Sequence, residues 1–83
     1  MTVFRFSVSI MPRDGILDPQ GRAVEAALPQ LGAGSVHDVR IGRRVELSVE
    51  AADEPAARQV VEQLSADFLA NPLVERWAIE SPE

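Results

Sequence analysis

The stretch VELSVEAADEPAARQVVEQL, residues 45–64, decides the fold because its hydrophobic period changes from two residues to nearly four. Apolar and polar residues alternate from Val45 to Val49, which is the pattern of a half-buried β-strand. Asp53 then offers an N-cap and Pro55 a first-turn residue, so a helix is predicted to begin there. The apolar residues predicted as its buried stripe are Ala57, Val60, Val61, Leu64, Phe68 and Leu69.

The chain before this stretch predicts another strand and another helix. Residues 3–10 alternate as residues 45–49 do, and are predicted to form the first strand. Asp18 followed by Pro19 marks a helix start, because an Asp N-cap accepts hydrogen bonds from the free amides of the first turn. Gly32 is the expected stop of this helix. Its apolar residues at helical spacing are Ala23, Val24, Ala27, Leu28 and Leu31.

Two more strands complete the predicted order. Residues 36–41 are predicted as the second strand, which the Gly42–Arg43 turn joins to residues 45–49 as a hairpin. The Asn71–Pro72 pair is predicted to end the second helix, because the residue before a proline avoids helical backbone. Residues 74–79 are predicted as the fourth strand. The order is therefore strand, helix, strand, strand, helix, strand.

This order predicts an α+β fold of the form βαββαβ, with two helices on one face of a four-stranded antiparallel sheet in a ferredoxin-like arrangement. No repeat or linker divides the chain, so residues 1–83 are predicted as a single domain. Trp77 is expected to close the core beneath the helices, with an aromatic anchor on the open face or at an edge as the alternative. The side chains predicted on the open face are polar: Arg5, Ser7, Ser9, Arg44, Glu46, Ser48 and Glu50.

Composition limits the possible functions. Hydrophobic residues make up 46% and charged residues 25% of the 83 positions, as in one soluble domain with a thin core. Self-association, or docking on larger partners, is a natural remedy for so small a core. The chain has no Cys and one His, which excludes thiolate and histidine-rich metal sites, and its net charge of -5 argues against nucleic acid and anionic membrane as partners. No bilayer-spanning segment or signal-peptide pattern is found, so we expect a cytoplasmic protein.

Candidate catalytic residues are few. His37 is followed by Asp38 on a predicted strand, where adjacent side chains point to opposite faces and cannot form an orienting pair. Asp14 and Asp18 are better explained as a turn residue and an N-cap than as an acid–base or metal pair. We therefore predict no catalytic, cofactor-binding or metal-binding residue in this chain.

Two features point instead to contacts. Gly21 lies in the first turn of helix one although Gly is a poor helix former, so either a close backbone approach at Gly21 and Arg22 or simple capping explains this helix start. The second feature is the basic turn formed by Arg40, Arg43 and Arg44. These arginines suit phosphate or a partner's carboxylates, with solvated turn residues as the alternative.

Three motifs together carry a resemblance to a known family. ILDPQG at residues 16–21, VRIGR at residues 39–43 and LANPLVE at residues 69–75 stand in the order and spacing of the PurS family. Its members are the small subunit of phosphoribosylformylglycinamidine synthase, and the resemblance covers residues 3–79. Most relatives have Lys where Arg43 stands here, which keeps the charge and changes the hydrogen-bond geometry.

The resemblance implies a subunit without catalytic residues of its own. Such subunits look like adaptors between a glutaminase subunit, which releases ammonia, and a large synthetase subunit in the fourth step of de novo purine synthesis. Two copies are expected to associate, as a dimer or tetramer. No cofactor is expected in this subunit, whereas the assembled complex is expected to use ATP and Mg²⁺.

The same resemblance suggests which residues meet partners. An ACT-like small-molecule regulatory module is the alternative function, because a dimer of this strand-helix order resembles amino-acid-binding ACT domains, whose ligand would here bind at the loop before helix one. A ferredoxin-like RNA binder is disfavoured, because its central strands would need exposed aromatic side chains. The residues carried over as a candidate partner interface are Asp18, Pro19, Gln20, Gly21, Arg40, Gly42, Arg43, Asn71, Pro72 and Glu75.

Overall fold

Three strands and two helices alternate along residues 1–80, the part of the chain that the computed structural model describes. A short 3₁₀ turn, Leu28–Leu31, follows the first helix, and a π-helical turn, Ser65–Leu69, follows the second. The main elements are β1 (Thr2–Pro12), α1 (Pro19–Ala27), β2 (Arg43–Ala51), α2 (Glu54–Leu64) and β3 (Glu75–Glu80).

The sheet is antiparallel, with β1 between β2 and β3. β2 pairs along most of β1, whereas β3 pairs only with its C-terminal half, from Ser7 to Pro12. The α+β class is therefore confirmed, with two helices and, within residues 1–80, a three-stranded antiparallel sheet.

The prediction of a second strand at residues 36–41 is wrong. Asp38 has a positive φ of 58°, which interrupts extended backbone. The amides of Val39 and Ile41 donate to two carboxylates of the α1 region, so they are not available to a neighbouring strand. The predicted hairpin at Gly42–Arg43 consequently does not form, and β2 begins directly at Arg43 beside β1.

The core lies between one face of the sheet and α2. Partners in register share a face, so Trp77 lies on the same side as Ile10 and packs against the core, as predicted. On this face of β2, Val45, Leu47 and Val49 are only partly buried, whereas Ala51 is buried. The buried apolar residues are Phe6, Val8, Ile10, Ala51, Ala57, Val61 and Ala70.

Only two of the six residues predicted for the stripe of α2 are buried. Ala57 and Val61 face the sheet, whereas Val60 and Leu64 are exposed and Phe68 is 79% exposed. A flat sheet contacts a narrow sector of a helix, and residues 57, 61 and 65 at intervals of four fill that sector. Val60, Leu64 and Phe68 therefore form a second, uncovered flank of α2 and the turn after it.

The prediction that both helices cover the sheet is wrong for α1. Gly21 is its one buried residue, and Val24 and Leu31 are exposed. The molecule measures 52 × 26 × 13 Å, whereas the eleven residues of β1 span about 36 Å. Residues 39–41 run beside the first turns of α1 and attach this helix at the Pro12 end of the sheet. Helix α1 therefore extends beyond that end of the sheet.

Candidate partner-binding site

The predicted interface residues gather at one end of the sheet. The register pairs Ile10 with Arg43 and Pro12 with Glu75, so the C-terminal end of β1 lies beside the first residues of β2 and β3. The loop before α1 and the turn before β3 meet there as well, since the amide of Arg13 donates to the carbonyl of Val74 at 2.8 Å. The structure thus brings together residues as far apart in the chain as Pro12 and Glu75.

Asp18 connects the start of α1 to the segment before β2. Its Oδ1 accepts from the amide of Gly21 at 3.0 Å, and its Oδ2 accepts from the amide of Ile41 at 2.8 Å. The pKa of Asp18 is held below its ordinary value mainly by the hydrogen bond from Gly21, then by the one from Ile41 and by the nearby charge of Arg40. Together these effects outweigh burial, which acts in the opposite direction. The carboxylate therefore fixes one helix terminus and one loop in a single position.

Two glycines allow the backbone segments here to approach closely. A Cβ on Gly21 would lie 2.4 Å from the carbonyl oxygen of Val39, and a Cβ on Gly42 would lie 2.2 Å from that of Ile10. Both explanations left open for the helix start are observed: Asp18 caps the helix through the amide of Gly21, and a backbone carbonyl approaches Gly21 closely. The approaching group is this chain's own residue Val39.

Arg40 attaches the same segment to the end of β1. Its guanidinium donates to the carbonyls of Pro12 and Arg13 at 3.3 and 2.9 Å, and its Nε lies 3.9 Å from Asp18. The side chain of Arg13 donates in turn to the carbonyl of Pro72 at 3.0 Å. The arginines thus link three loops that share no secondary structure.

A second cluster surrounds Arg43. Its Nη2 lies 2.8 and 2.9 Å from the carboxylate oxygens of Glu75 and also donates to the carbonyl of Leu69 at 3.1 Å. The amide of Asn71 donates to the same carboxylate at 2.7 Å. The hydrogen bond from Asn71, followed by the contact with Arg43, holds the pKa of Glu75 below its ordinary value against the effect of burial.

Arg44, the third arginine of the basic turn, lies on the open face of the sheet. It donates to the hydroxyl of Ser7 at 2.9 Å and forms ion pairs with Glu46 and Glu80. The basic turn is therefore divided between the end of the sheet and its polar face, and none of its three arginines is left as a solvated turn residue.

The predicted residues thus differ in what they offer a partner. Asp18, Gly21, Arg40 and Gly42 shape the loops, whereas Pro19, Gln20 and Pro72 expose their side chains at the surface. Two exposed leucines lie beside them and are not among the predicted residues: Leu17 is 67% exposed and Leu73 is 83% exposed. Leu17 precedes the Asp18–Pro19 helix start, and Leu73 follows the Asn71–Pro72 helix end. An apolar residue beside such a turn is the sequence feature that could have predicted their exposure.

An open groove of about 710 Å³ lies between α1 and residues 38–40. Asp18 and Arg40 stand in its wall, so this groove adjoins the end of the sheet that carries the two clusters. The polar lining of the groove and its open shape suit recognition of another protein chain better than capture of an apolar ligand. The groove is lined by Gly15, Ile16, Leu17, Asp18, Arg22, Glu25, Ala26, Asp38, Val39 and Arg40.

Metal-binding clusters and membrane-spanning helices are absent from residues 1–80. These residues contain no group of three or more His, Asp and Glu side chains placed to hold a metal ion. No helix in this part of the chain combines the length and apolar character needed to cross a membrane. His37 lies exposed in the segment before β2.

Fold and site together define a small α+β chain with a partly covered sheet and a set of exposed, cross-linked loops at one sheet end. The family model described as PurS, Phosphoribosylformylglycinamidine (FGAM) synthase, matches residues 5–83. The chain therefore belongs to the PurS family.

Individual relatives agree with this assignment. The chain is 43% identical over 68 residues to the phosphoribosylformylglycinamidine synthase subunit PurS of Synechocystis sp., covering 82% of this chain and 68% of that protein. It is 41% identical to the Mycobacterium leprae subunit, covering 90% and 91% of the two chains.

Solved structures are similar over nearly the whole chain. Thermus thermophilus PurS superposes with a TM-score of 0.87 at 36% identity, over 99% of this chain and 96% of that chain. A chain of the Thermotoga maritima PurLQS structure superposes with a TM-score of 0.88 at 29% identity, over 96% and 98%.

Proposed function

We propose that this chain is the non-catalytic small subunit of a cytoplasmic phosphoribosylformylglycinamidine synthase, and that it bridges the glutaminase and synthetase subunits. Holding the two active sites in register lets ammonia pass between them before it escapes to water. ATP and Mg²⁺ belong to the assembled complex, in its large subunit. The carrying observation is the match of the PurS family model to residues 5–83.

The structure supports docking through the end of the sheet at Pro12. The Asp18 and Arg43 hydrogen-bond networks fix the loops there, so a partner meets a surface that is already ordered and loses less conformational entropy on binding. Leu17 and Leu73 add exposed apolar area beside these polar loops. A polar rim around apolar anchors is the usual composition of a protein interface. The ACT-like regulatory module is not favoured beside the family match.

Self-association belongs to the same proposal. The radius of gyration is 16.4 Å, whereas a compact domain of this length has about 12 Å. The accessible surface is 5814 Å², roughly 1,000 Å² above that of a typical folded chain of this mass. Each protomer of a standard interface buries about 800 Å², so the excess is enough for one dimer contact.

Reconstitution tests the bridging role. The chain is mixed with glutaminase and synthetase subunits from the same source, and glutamine-dependent amidine formation is compared with ammonia-dependent formation. We expect glutamine-dependent turnover only when this chain is present, and ammonia-dependent turnover without it. If neither turnover nor complex size responds to the chain, the proposal is overturned.

A pair of variants locates the docking surface within that assay. Leu73→Asp places a charge on the proposed surface, and we expect it to lower glutamine-dependent turnover at least tenfold at limiting subunit concentration. Val3→Asp makes the same change at an exposed apolar residue at the opposite end of β1, and serves as the control. Equal loss in both variants would place the docking surface elsewhere.

A further inference from the structure

The turn before β3 begins at Asn71 and is ordered by its own hydrogen bonds although it is exposed. The amides of Val74 and Glu75 donate to the carbonyl of Asn71 at 3.1 and 2.7 Å. The amide of Leu73 donates to the side-chain oxygen of Asn71 at 3.2 Å, and the amide of Asn71 donates to the Glu75 carboxylate at 2.7 Å. Pro72 has no amide and a fixed φ. Every amide of this turn therefore has a partner within it.

Arg13 attaches this turn to the end of the central strand. Its backbone amide donates to the carbonyl of Val74 at 2.8 Å, and its Nε donates to the carbonyl of Pro72 at 3.0 Å. The two accepting residues lie on either side of Leu73, so Arg13 fixes the backbone before and after that one residue. Because residues 72–74 are exposed, water could satisfy the same carbonyls, and burial does not require these hydrogen bonds. Their effect is to fix the shape of the turn.

The turn presents apolar side chains to solvent. Leu73 is 83% exposed and Val74 is 37% exposed. A single exposed leucine is common on protein surfaces, but one on a flexible loop loses backbone freedom when it binds. The backbone of Leu73 is already fixed, so its insertion into a pocket costs less conformational entropy. An aliphatic side chain on a preformed turn is the arrangement of an interface anchor.

The charges around the turn indicate what borders a pocket that receives it. Arg43 is paired with Glu75 at 2.8 Å, and Arg76 with Asp14 at 3.3 Å. Arg13 makes no ion pair within the described part of the chain. It is thus an uncompensated positive charge beside the turn, on a chain with a net charge of -5. A complementary pocket is apolar inside and carries a carboxylate at its rim.

We propose that the turn before β3 is a preformed anchor that inserts Leu73 into an apolar pocket with an acidic rim on a larger subunit of the synthase, and that Arg13 is the positioning residue of this anchor. The inference rests on the proposed function and names the chemistry of the partner's site. The occupant is a larger subunit because the turn is continuous with the proposed docking surface, through Arg40, which donates to the carbonyl of Arg13 at 2.9 Å.

Titration tests the anchor. The full chain is added to fixed, limiting glutaminase and synthetase subunits, and its half-saturating concentration for glutamine-dependent turnover is measured. Leu73→Ala removes the apolar side chain, and we expect the half-saturating concentration to rise at least about tenfold with maximal turnover unchanged. Val3→Ala shortens an exposed apolar residue at the opposite end of β1, and should leave the half-saturating concentration unchanged.

A double-mutant cycle tests the positioning role of Arg13. Arg13→Lys keeps the charge and removes the Nε donor to Pro72. We expect it to raise the half-saturating concentration about fivefold in the wild-type chain and less than about twofold in the Leu73→Ala chain. A purely structural effect would act equally in both. Arg76→Lys, at an exposed arginine that bonds Asp14, is the control and should change neither.

Salt dependence tests the acidic rim. Added salt should raise the half-saturating concentration of the wild-type chain, because it screens the pairing of Arg13 with a partner carboxylate. Arg13→Gln removes this charge and should respond less to salt than wild type, whereas Arg76→Gln should respond as wild type does. Equal salt responses in all three chains would overturn the acidic rim.

Other outcomes overturn the anchor itself. Unchanged half-saturation of Leu73→Ala means that the partner meets another surface. A changed light-scattering mass of the free Leu73→Ala chain means that the turn joins copies of this chain instead. Equal losses from Arg13→Lys in both chains remove its positioning role. If the wild-type chain fails to stimulate turnover, the proposed function fails as well, whereas normal stimulation by both wild type and Leu73→Ala overturns the anchor alone.

Discussion

At the scale of single residues, one short carboxylate side chain and two glycines position the loops at the end of the sheet. Asp18 uses both carboxylate oxygens as acceptors for backbone amides, at Gly21 and at Ile41. Gly21 and Gly42 allow backbone carbonyls to come closer than any Cβ permits. The proposed docking surface is thus fixed by a few contacts, each of which one substitution can test.

Gly21→Ala tests the close approach. Ala favours a helix by up to about 1 kcal/mol over Gly, but its Cβ would lie 2.4 Å from the carbonyl oxygen of Val39, so residues 39–41 must move. We expect a net loss of about 1–3 kcal/mol in unfolding free energy, measured by urea denaturation. In the control Gly34→Ala, the nearest atom is 3.8 Å away and stability should not fall. A more stable Gly21→Ala variant would contradict the observed packing.

Asp18→Asn tests the lowered pKa. Because the folded state favours the ionised carboxylate, the contribution of Asp18 is present above its unfolded pKa and is lost as the pH falls through the lower folded pKa. The difference in thermal midpoint between wild type and Asp18→Asn should therefore be several degrees at pH 7 and shrink below about pH 4. Asp14→Asn removes one exposed surface charge as the control. A difference that stays constant down to pH 2 would exclude this linkage.

Residue types alone predict part of this site. The Asp-Pro pair marks the start of α1, and a glycine inside that first turn indicates a close contact, which the structure identifies as Val39. The pairing of Arg43 with Glu75 is not predictable from the sequence, because it joins loops more than thirty positions apart. Only the register of β1 with β2 and β3 brings those loops together.

At the scale of elements, periodicity identifies each helix and the strands that pair, and it fails where tertiary contacts decide. Residues 36–41 have a strand-like pattern, but a left-handed Asp38 and amides bound to side chains prevent strand pairing. The stripe of α2 is predicted as one buried face, whereas the sheet covers only the sector of Ala57 and Val61. A sequence period shows that a face is apolar, not which chain covers it.

Two buried serines allow a test of α2 packing. Ser65 is fully buried where α2 continues into the π-helical turn, and its hydroxyl has no hydrogen-bond partner among the described residues. Ser65→Ala should therefore raise the unfolding free energy by about 1 kcal/mol, because a desolvated hydroxyl is removed and Ala favours helix. Ser7→Ala should lower it, since the Ser7 hydroxyl accepts from Arg44 at 2.9 Å. Chemical denaturation measures both, and a destabilised Ser65→Ala variant would indicate a partner for that hydroxyl.

At the scale of the whole molecule, the long shape is the main departure from the sequence-based prediction. Helix α1 extends beyond the sheet, and α2 alone covers one sheet face. This leaves apolar surface that two copies are proposed to bury together. The thermal midpoint should then rise with protein concentration, because the folded state is linked to association.

Matched charges on opposite sides of α1 test this linkage. Val24→Asp places a carboxylate in the apolar stripe, and we expect its thermal midpoint to become independent of concentration between micromolar and hundreds of micromolar protein. Ala26→Asp adds the same charge to the side of α1 that faces the groove, and its midpoint should rise with concentration as in wild type. Light scattering should give a single-chain mass for the first variant only. If both variants keep the wild-type dependence, α1 lies outside the contact, and the surface that joins the copies must be sought on the open face of the sheet or at its end.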